Sequence, residues 1–254
     1  MRDQTEVSLL QPKIFAHRGA SRHAPENTMD AFKLAYQQGA DGIETDVHLT
    51  KDRVPVLMHD ERVNRTTNGT GYIKDYTFSQ LEKLDAGTWF SPHFAGCRIL
   101  QLDELLEWIR DKPLYLNIEL KNNKIDYSHL ESIVCERLSQ YRLLHRTTLS
   151  MFNPLSIRRL QSLNQPDGLA LLTSSRIKNP VWSANQAGAN ALHIKYARLS
   201  QKIVDACHRR DMAVRVYTVN KPKQIRRCFS TGCNGIFTDV PQVAVEYREK
   251  FTNT

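Results

Sequence analysis

The sequence predicts an α/β protein folded as a (β/α)8 TIM barrel, with a small insertion after the second barrel strand and its hairpin arm. Three observations predict this class. Nine short apolar runs with strand character recur along the 254 residues. Helix-patterned stretches separate most of them, which points to a parallel sheet. No linker, internal repeat or low-complexity tract divides the chain, and so many alternations at this length favour a closed barrel over an open doubly wound sheet.

The elements follow in order. IFAH (14–17) reads as a strand, and TMDAFKLAYQQG (28–39) as a helix that closes on Gly39, because its apolar residues fall at helical spacing. GIETDV (42–47) and PVLMHD (55–60) come next. Only about seven residues separate them, whereas a parallel crossover needs about a dozen or more, so they are expected to form a hairpin turning near Lys51 and Asp52. Setting PVLMHD aside leaves the eight strands of a barrel. A turn centred there places residues whose numbers sum to about 103 opposite one another, with Glu44 facing His59.

From about 60 to 112 the text is rich in turn residues and ends in the amphipathic stretch LDELLEWIR. An excursion of this length between barrel strands is expected to form a lid or small subdomain over the site. Strands LYLNIEL, TTLSMF, LALLT, ALHI, AVRVYTV and GIFTD complete the set, with helices at YSHLESIVCERLSQY, SIRRLQSL and SQKIVDACHRR. One domain is expected over 13–248, with tails at 1–12 and 249–254.

Composition narrows the function. Lys and Arg number 35 against 27 Asp and Glu, a formal charge of +8, which favours an anionic partner without naming it. The basic residues are spread out, without a basic run or stacking aromatic motif, so a nucleic-acid binder is disfavoured. The five cysteines contain no Cys-x-x-Cys pair and signal neither a disulfide framework nor a zinc site. The segment before residue 14 lacks a signal-peptide core, and no apolar run reaches membrane-spanning length. A cytoplasmic protein without stable membrane insertion is expected, as monomer or homodimer.

Residues two apart in a strand face the same way, so Glu44 and Asp46 project together, as do Glu119 and Lys121. Three carboxylates converging from strand ends suit one hard divalent cation, Mg2+ or Ca2+. The alternative is that each carboxylate pairs with a Lys or Arg at the rim. His17 and His59 both end strands, where the catalytic groups of a barrel gather, and two facing imidazoles suit general acid and base work. Arg18 offers a guanidinium fork for phosphate or, equally, a salt bridge to Glu26. Asp60 is placed to orient a histidine, Pro25 stiffens the loop, and Asn27 or Thr28 is placed to cap the following helix.

The text AHRGASRHAPENTMDAF, then GADGIETDVHLTKDRVPVLMHDERVNRTTNGTG, then LNIELK, and finally VYTVN with GIFTDVP resembles the glycerophosphodiester phosphodiesterase family in order and spacing. The resemblance implies a barrel of the phosphoinositide phospholipase C-like type that hydrolyses glycerophosphodiesters to sn-glycerol 3-phosphate and an alcohol. It implies Glu44, Asp46 and Glu119 as metal ligands, His17 and His59 as the acid and base pair, and Arg18 and Lys121 at the phosphate oxygens. Trp89 and Phe90 of the insertion would help shape the substrate pocket, or simply pack the insertion onto the barrel. Glu26 and Asn27 would support the site. Two positions depart from the family pattern. Asp52-Arg53 replaces the usual Asp-Gly at the hairpin turn, and Tyr217 stands where a tryptophan is common, its hydroxyl available to a substrate atom or water. The runner-up activity is a lysophospholipase D-like hydrolase of lipid phosphodiesters, for which an apolar groove in the insertion would be needed.

Overall fold

The computed structural model describes residues 11–173 and 177–252. Most of the expected N-terminal tail and the last two residues lie outside the described residues. Nine strands form one sheet: β1 (Lys13–His17), β2 (Gly42–Leu49), β3 (Pro55–Leu57), β4 (Tyr115–Leu120), β5 (Thr147–Met151), β6 (Gly168–Thr173), β7 (Ala191–Lys195), β8 (Ala213–Tyr217) and β9 (Gly235–Thr238). Their order is β1-β9-β8-β7-β6-β5-β4-β2-β3, and a further β1–β2 pairing closes the eight parallel strands into a barrel with β3 left outside. The helices are α1 (Met29–Gln37), α2 (Phe78–Leu81), α3 (Leu102–Ile109), α4 (Leu130–Gln140), α5 (Pro154–Leu160), α6 (Pro180–Ala187), α7 (Gln201–His208), α8 (Pro222–Ser230) and α9 (Pro241–Thr252).

Strand alternation divides the barrel into two environments. The outward positions, among them Ile14, Ile43, Leu116, Ile118, Leu149, Leu192, Val214 and Ile236, join Phe32, Leu105, Val134, Ile157, Val204 and Ile225 in one buried core between sheet and helices. Inward positions are largely polar. Arg215 of β8 donates to Thr148 Oγ1 of β5 at 3.0 Å, and these strands are not neighbours, so that bond crosses the barrel interior. Asn117 and Ser150 bond each other at 2.9 Å.

The hairpin forms, with its register one residue from the expected one. Val47 pairs with Leu57, His48 with Val56 and Leu49 with Pro55, so paired numbers sum to 104. The cause is the turn. Thr50 N–H donates to Val54 across a three-residue loop, and Arg53 closes it at φ +64°, the left-handed position that such loops require. Arg53, which carries a Cβ, holds this left-handed conformation at a backbone cost of roughly 1–2 kcal/mol. Glu44 and His59 are accordingly not cross-strand partners. Pairing ends where Met58 N–H donates to the Asp46 carbonyl at 3.1 Å, and His59 emerges beyond the ladder.

The segment after β3 builds a small second core from Val56, Met58, Val63, Ile73, Leu81, Ala86 and Ile99. Helix α3, which the sequence reading grouped with this insertion, instead buries Leu102, Leu105, Leu106 and Ile109 in the main core. At the other end α9 continues past residue 248 rather than giving way to a tail.

Candidate active site

The first residues beyond β1 explain why a buried strand ends in charge. Arg18 and Gly19 both take positive φ, +58° and +84°. A Cβ on Gly19 would lie 2.6 Å from Ala31 of α1, so only glycine fits there. The turn lets Arg18 N–H donate to both the Glu44 carbonyl at 3.0 Å and Glu44 Oε2 at 2.9 Å. Thr28 caps α1, accepting from Ala31 N–H. Asn27 faces inward instead, donating to Asp46 Oδ2 at 3.1 Å and accepting from Thr45 at 2.8 Å.

Glu44, Asp46 and Glu119 each present a carboxylate oxygen, all within 4.8 Å of one another. Register accounts for this, since Asp46 lies beside Glu119 across the β2–β4 ladder. Lys121 donates to Glu119 at 2.8 Å and lies 3.5 Å from Asp46 Oδ1. Arg18 Nε lies 3.3 Å from Asp46 Oδ2, close enough for an ion pair but not aligned as a hydrogen bond. Asp46 is 1% exposed in its side chain. Burial would raise its pKa, but Lys121 and Arg18 hold it well below the usual carboxylate range. Burial, with the Asp46 charge beside it, pushes Glu44 up to about 8. Burial also raises Glu119, against the pull of Lys121. Asp46 Oδ1 is buried without a hydrogen bond. An oxygen-only set with one unsatisfied ligand atom, crowded enough to hold a proton, fits a hard divalent cation.

His17 and His59 line the main cavity, of about 480 Å3, together with Arg18, Glu44, Glu119 and Tyr217. Each histidine bonds a carboxylate through Nδ1: His17 to Asp239 at 2.7 Å and His59 to Asp60 at 2.6 Å. Nδ1–H is therefore the donor, and each Nε2 has no hydrogen-bond partner among the described residues. Burial pulls the His17 pKa down, but the hydrogen bond with Asp239 and the Glu44 charge carry it above the ordinary value. Asp239 is fixed by Asn220, which donates to Oδ2 at 2.5 Å, and by Ser21 at 3.3 Å. Asp60 is fixed by Arg65, which donates to Oδ2 at 2.7 Å and also forks onto Glu26 at 2.7 and 2.8 Å. Glu26 also accepts from Arg18 at 3.0 Å, so one carboxylate clasps two guanidiniums.

Trp89 and Phe90 are not among the residues lining this cavity. Their rings meet edge to face at 5.7 Å, Phe90 continues onto Phe94, and Trp89 Nε1 donates to the Ala86 carbonyl. Tyr217 lines the cavity, but its hydroxyl donates to the Thr173 carbonyl at 2.9 Å rather than pointing free. Asp239, Asn220 and Arg65 were not singled out from sequence. Asp239 ends the run GIFTD as His17 ends IFAH, a signal that was available; Arg65 sits in aperiodic turn text and offered none.

A family model described as the glycerophosphoryl diester phosphodiesterase family matches residues 17–243. The chain belongs to that family. It is 40% identical to a glycerophosphodiester phosphodiesterase of Bacillus altitudinis over 94% of this chain and 98% of the relative. A glycerophosphodiester phosphodiesterase of Caldanaerobacter subterraneus subsp. tengcongensis is 38% identical over 95% and 99%. The structure of an Oleispira antarctica phosphodiesterase, in complex with the product sn-glycerol-3-phosphate, superposes with a TM-score of 0.86 at 28% identity, covering 94% of this chain and 97% of that one. No helix among the described residues is long and apolar enough to cross a membrane.

Proposed function

We propose that this family member hydrolyses glycerophosphodiesters to sn-glycerol 3-phosphate and an alcohol, with one divalent cation, Mg2+ or Ca2+, held by Glu44, Asp46 and Glu119. The observation that carries the reading is the carboxylate cluster at the barrel mouth, of which Glu44 and Glu119 line one cavity with two histidines whose Nδ1 atoms are each locked to a carboxylate. The bound cation supplies charge stabilisation at the phosphoryl oxygens. Arg18 and Lys121 add fixed positive charge beside it. Asp239 and Asp60 keep the imidazoles in the tautomer that presents Nε2 to the cavity, so that one Nε2 removes the nucleophile's proton and the other delivers a proton to the departing alcohol. Asp60 is held well acidic, at about 2, by Arg65 and His59 against the effect of burial, and stays charged throughout this work.

The lipid-directed alternative needs an apolar groove in the insertion, whereas Trp89 and Phe90 pack against each other. The test is phosphorus NMR of a panel of glycerophosphodiesters and lysophosphatidylcholine, with and without exhaustive chelation. Metal-dependent release of sn-glycerol 3-phosphate from the former is expected; turnover that survives metal removal defeats the carboxylate assignment.

A further inference from the structure

The opposite end of the barrel holds a second polar site that the hydrolytic reading leaves without a role. Arg215 projects inward from β8 and lines a cavity of about 280 Å3 whose wall comes from Phe15 of β1, Tyr115 of β4 and the residues that precede or open β5 to β8, Arg146 among them. Among the described residues only its Nη1 finds hydrogen-bond partners, donating to Thr148 Oγ1 at 3.0 Å and lying 3.2 Å from His193 Nε2, while the guanidinium carbon sits 5.0 Å from the centre of the Phe15 ring. No carboxylate among the described residues comes within ion-pair distance of it; Asp167 and Asp211 line the same cavity without reaching it. Nε and Nη2 make no hydrogen bond to a described residue, and Arg215 is half-buried on the cavity wall. A guanidinium held partly out of water without a counter-charge is costly, and burial accordingly pulls its pKa down to about 10.

The surrounding strands make room for this arrangement. A Cβ on Gly168 would lie 2.4 Å from Thr148 Oγ1, while one on Gly235 would be tight against the Lys13 carbonyl at 3.0 Å and in ordinary contact with the Arg215 side chain at 3.4 Å. These glycines are the register partners of Thr148 and Arg215 themselves.

We infer that the N-terminal end of the barrel binds a small oxyanion of the phosphate class, seated on the free fork of Arg215 beside Thr148. An Arg fork matches the paired oxygens of such an anion, and the bound charge supplies the missing counter-ion. Asp167 and Asp211 at the rim disfavour larger polyanions by repulsion.

The test uses the full chain carrying Arg18→Ala and Lys121→Ala, which removes the mouth residues read above as phosphate contacts. Its Tm is followed against inorganic phosphate, with sodium chloride of equal ionic strength as control. A saturable rise is expected, and adding Arg215→Met should raise the half-saturating concentration by about tenfold or more, as loss of a charged hydrogen-bonding pair implies. An equal response with Arg215→Met, or no rise beyond chloride, overturns the site. Wild-type crystals soaked in selenate give a readout that depends on no variant: an anomalous peak at the Arg215 fork is expected, and its absence overturns the proposal. Repeating the titration with glycerol 3-phosphate separates a phosphomonoester ligand from free phosphate.

Discussion

His17 and His59 make the same bond, Nδ1 to carboxylate, from opposite kinds of structure. The partner of His17 is Asp239, 222 residues away, brought to it by closure of β1 against β9. The partner of His59 is its neighbour Asp60, held in place by Arg65 from the insertion. His17 is 18% exposed and His59 35%. His193 completes the contrast: it lines the same cavity, fully buried, with Arg215 rather than a carboxylate beside it, and burial drives its pKa well below the ordinary value. A histidine in a polar cavity thus becomes a candidate for proton transfer through what stands behind its ring. One candidate depends on the whole barrel and the other on a local loop.

The comparison can be broken most severely at the imidazoles. His17→Ala and His59→Ala should each lower kcat/KM by about 10^2 to 10^4 with an unchanged circular dichroism spectrum; near wild-type rates in either variant remove that residue from the chemistry. Added imidazole should rescue His59→Ala better than His17→Ala, because the former site is more open. Next in size, Asp239→Asn and Asp60→Asn should lower kcat by about 10-fold to 100-fold, the range for partners that orient a working side chain. Asp239→Asn is expected to be the worse of the two, since Arg65 and the chain neighbourhood still constrain His59 when Asp60 is changed. An equal or reversed order contradicts the distinction. Arg65→Ala should cost less, about 10-fold or below, and show in kcat more than in Tm.

The smallest effect concerns stability and pH. The pKa of His193 is depressed in the folded state, so its contribution is full above the unfolded value near 6.5 and is lost as pH falls toward the folded one. His193→Asn should therefore flatten the fall of Tm between neutral and acid pH. A profile parallel to that of wild type shows that other groups set the acid limb.

Much of this was legible in the residues. All nine strand runs form strands, because β-branched and apolar alternation against a helix layer leaves little freedom for another arrangement. The placement of Glu44, Asp46 and Glu119 in one cluster follows from period-two geometry on two adjacent strands. What escaped were features set by tertiary closure or by irregular backbone. Asp239 meets His17 only because the barrel is round, Arg65 reaches Asp60 from turn text without periodicity, and the hairpin register moved by one because Arg53 adopted a left-handed conformation usually left to glycine.

Strand β2, at eight residues, is the longest of the nine, and its upper end is a mast rather than wall. Its lower part, as far as Val47 opposite Leu120, belongs to the closed ring, while His48 and Leu49 run past β4, and Val47 to Leu49 carry β3 on the other edge. The last ladder bond joins Met58 to Asp46, so His59 comes off the foot of this arm at the level of the carboxylates, one strand rise of about 3.3 Å beyond Met58. Adding or removing a matched pair of residues in the arm would therefore leave imidazole and carboxylates where they are, whereas a one-residue change on one side alone would carry His59 off by a rung and turn its side chain to the other face.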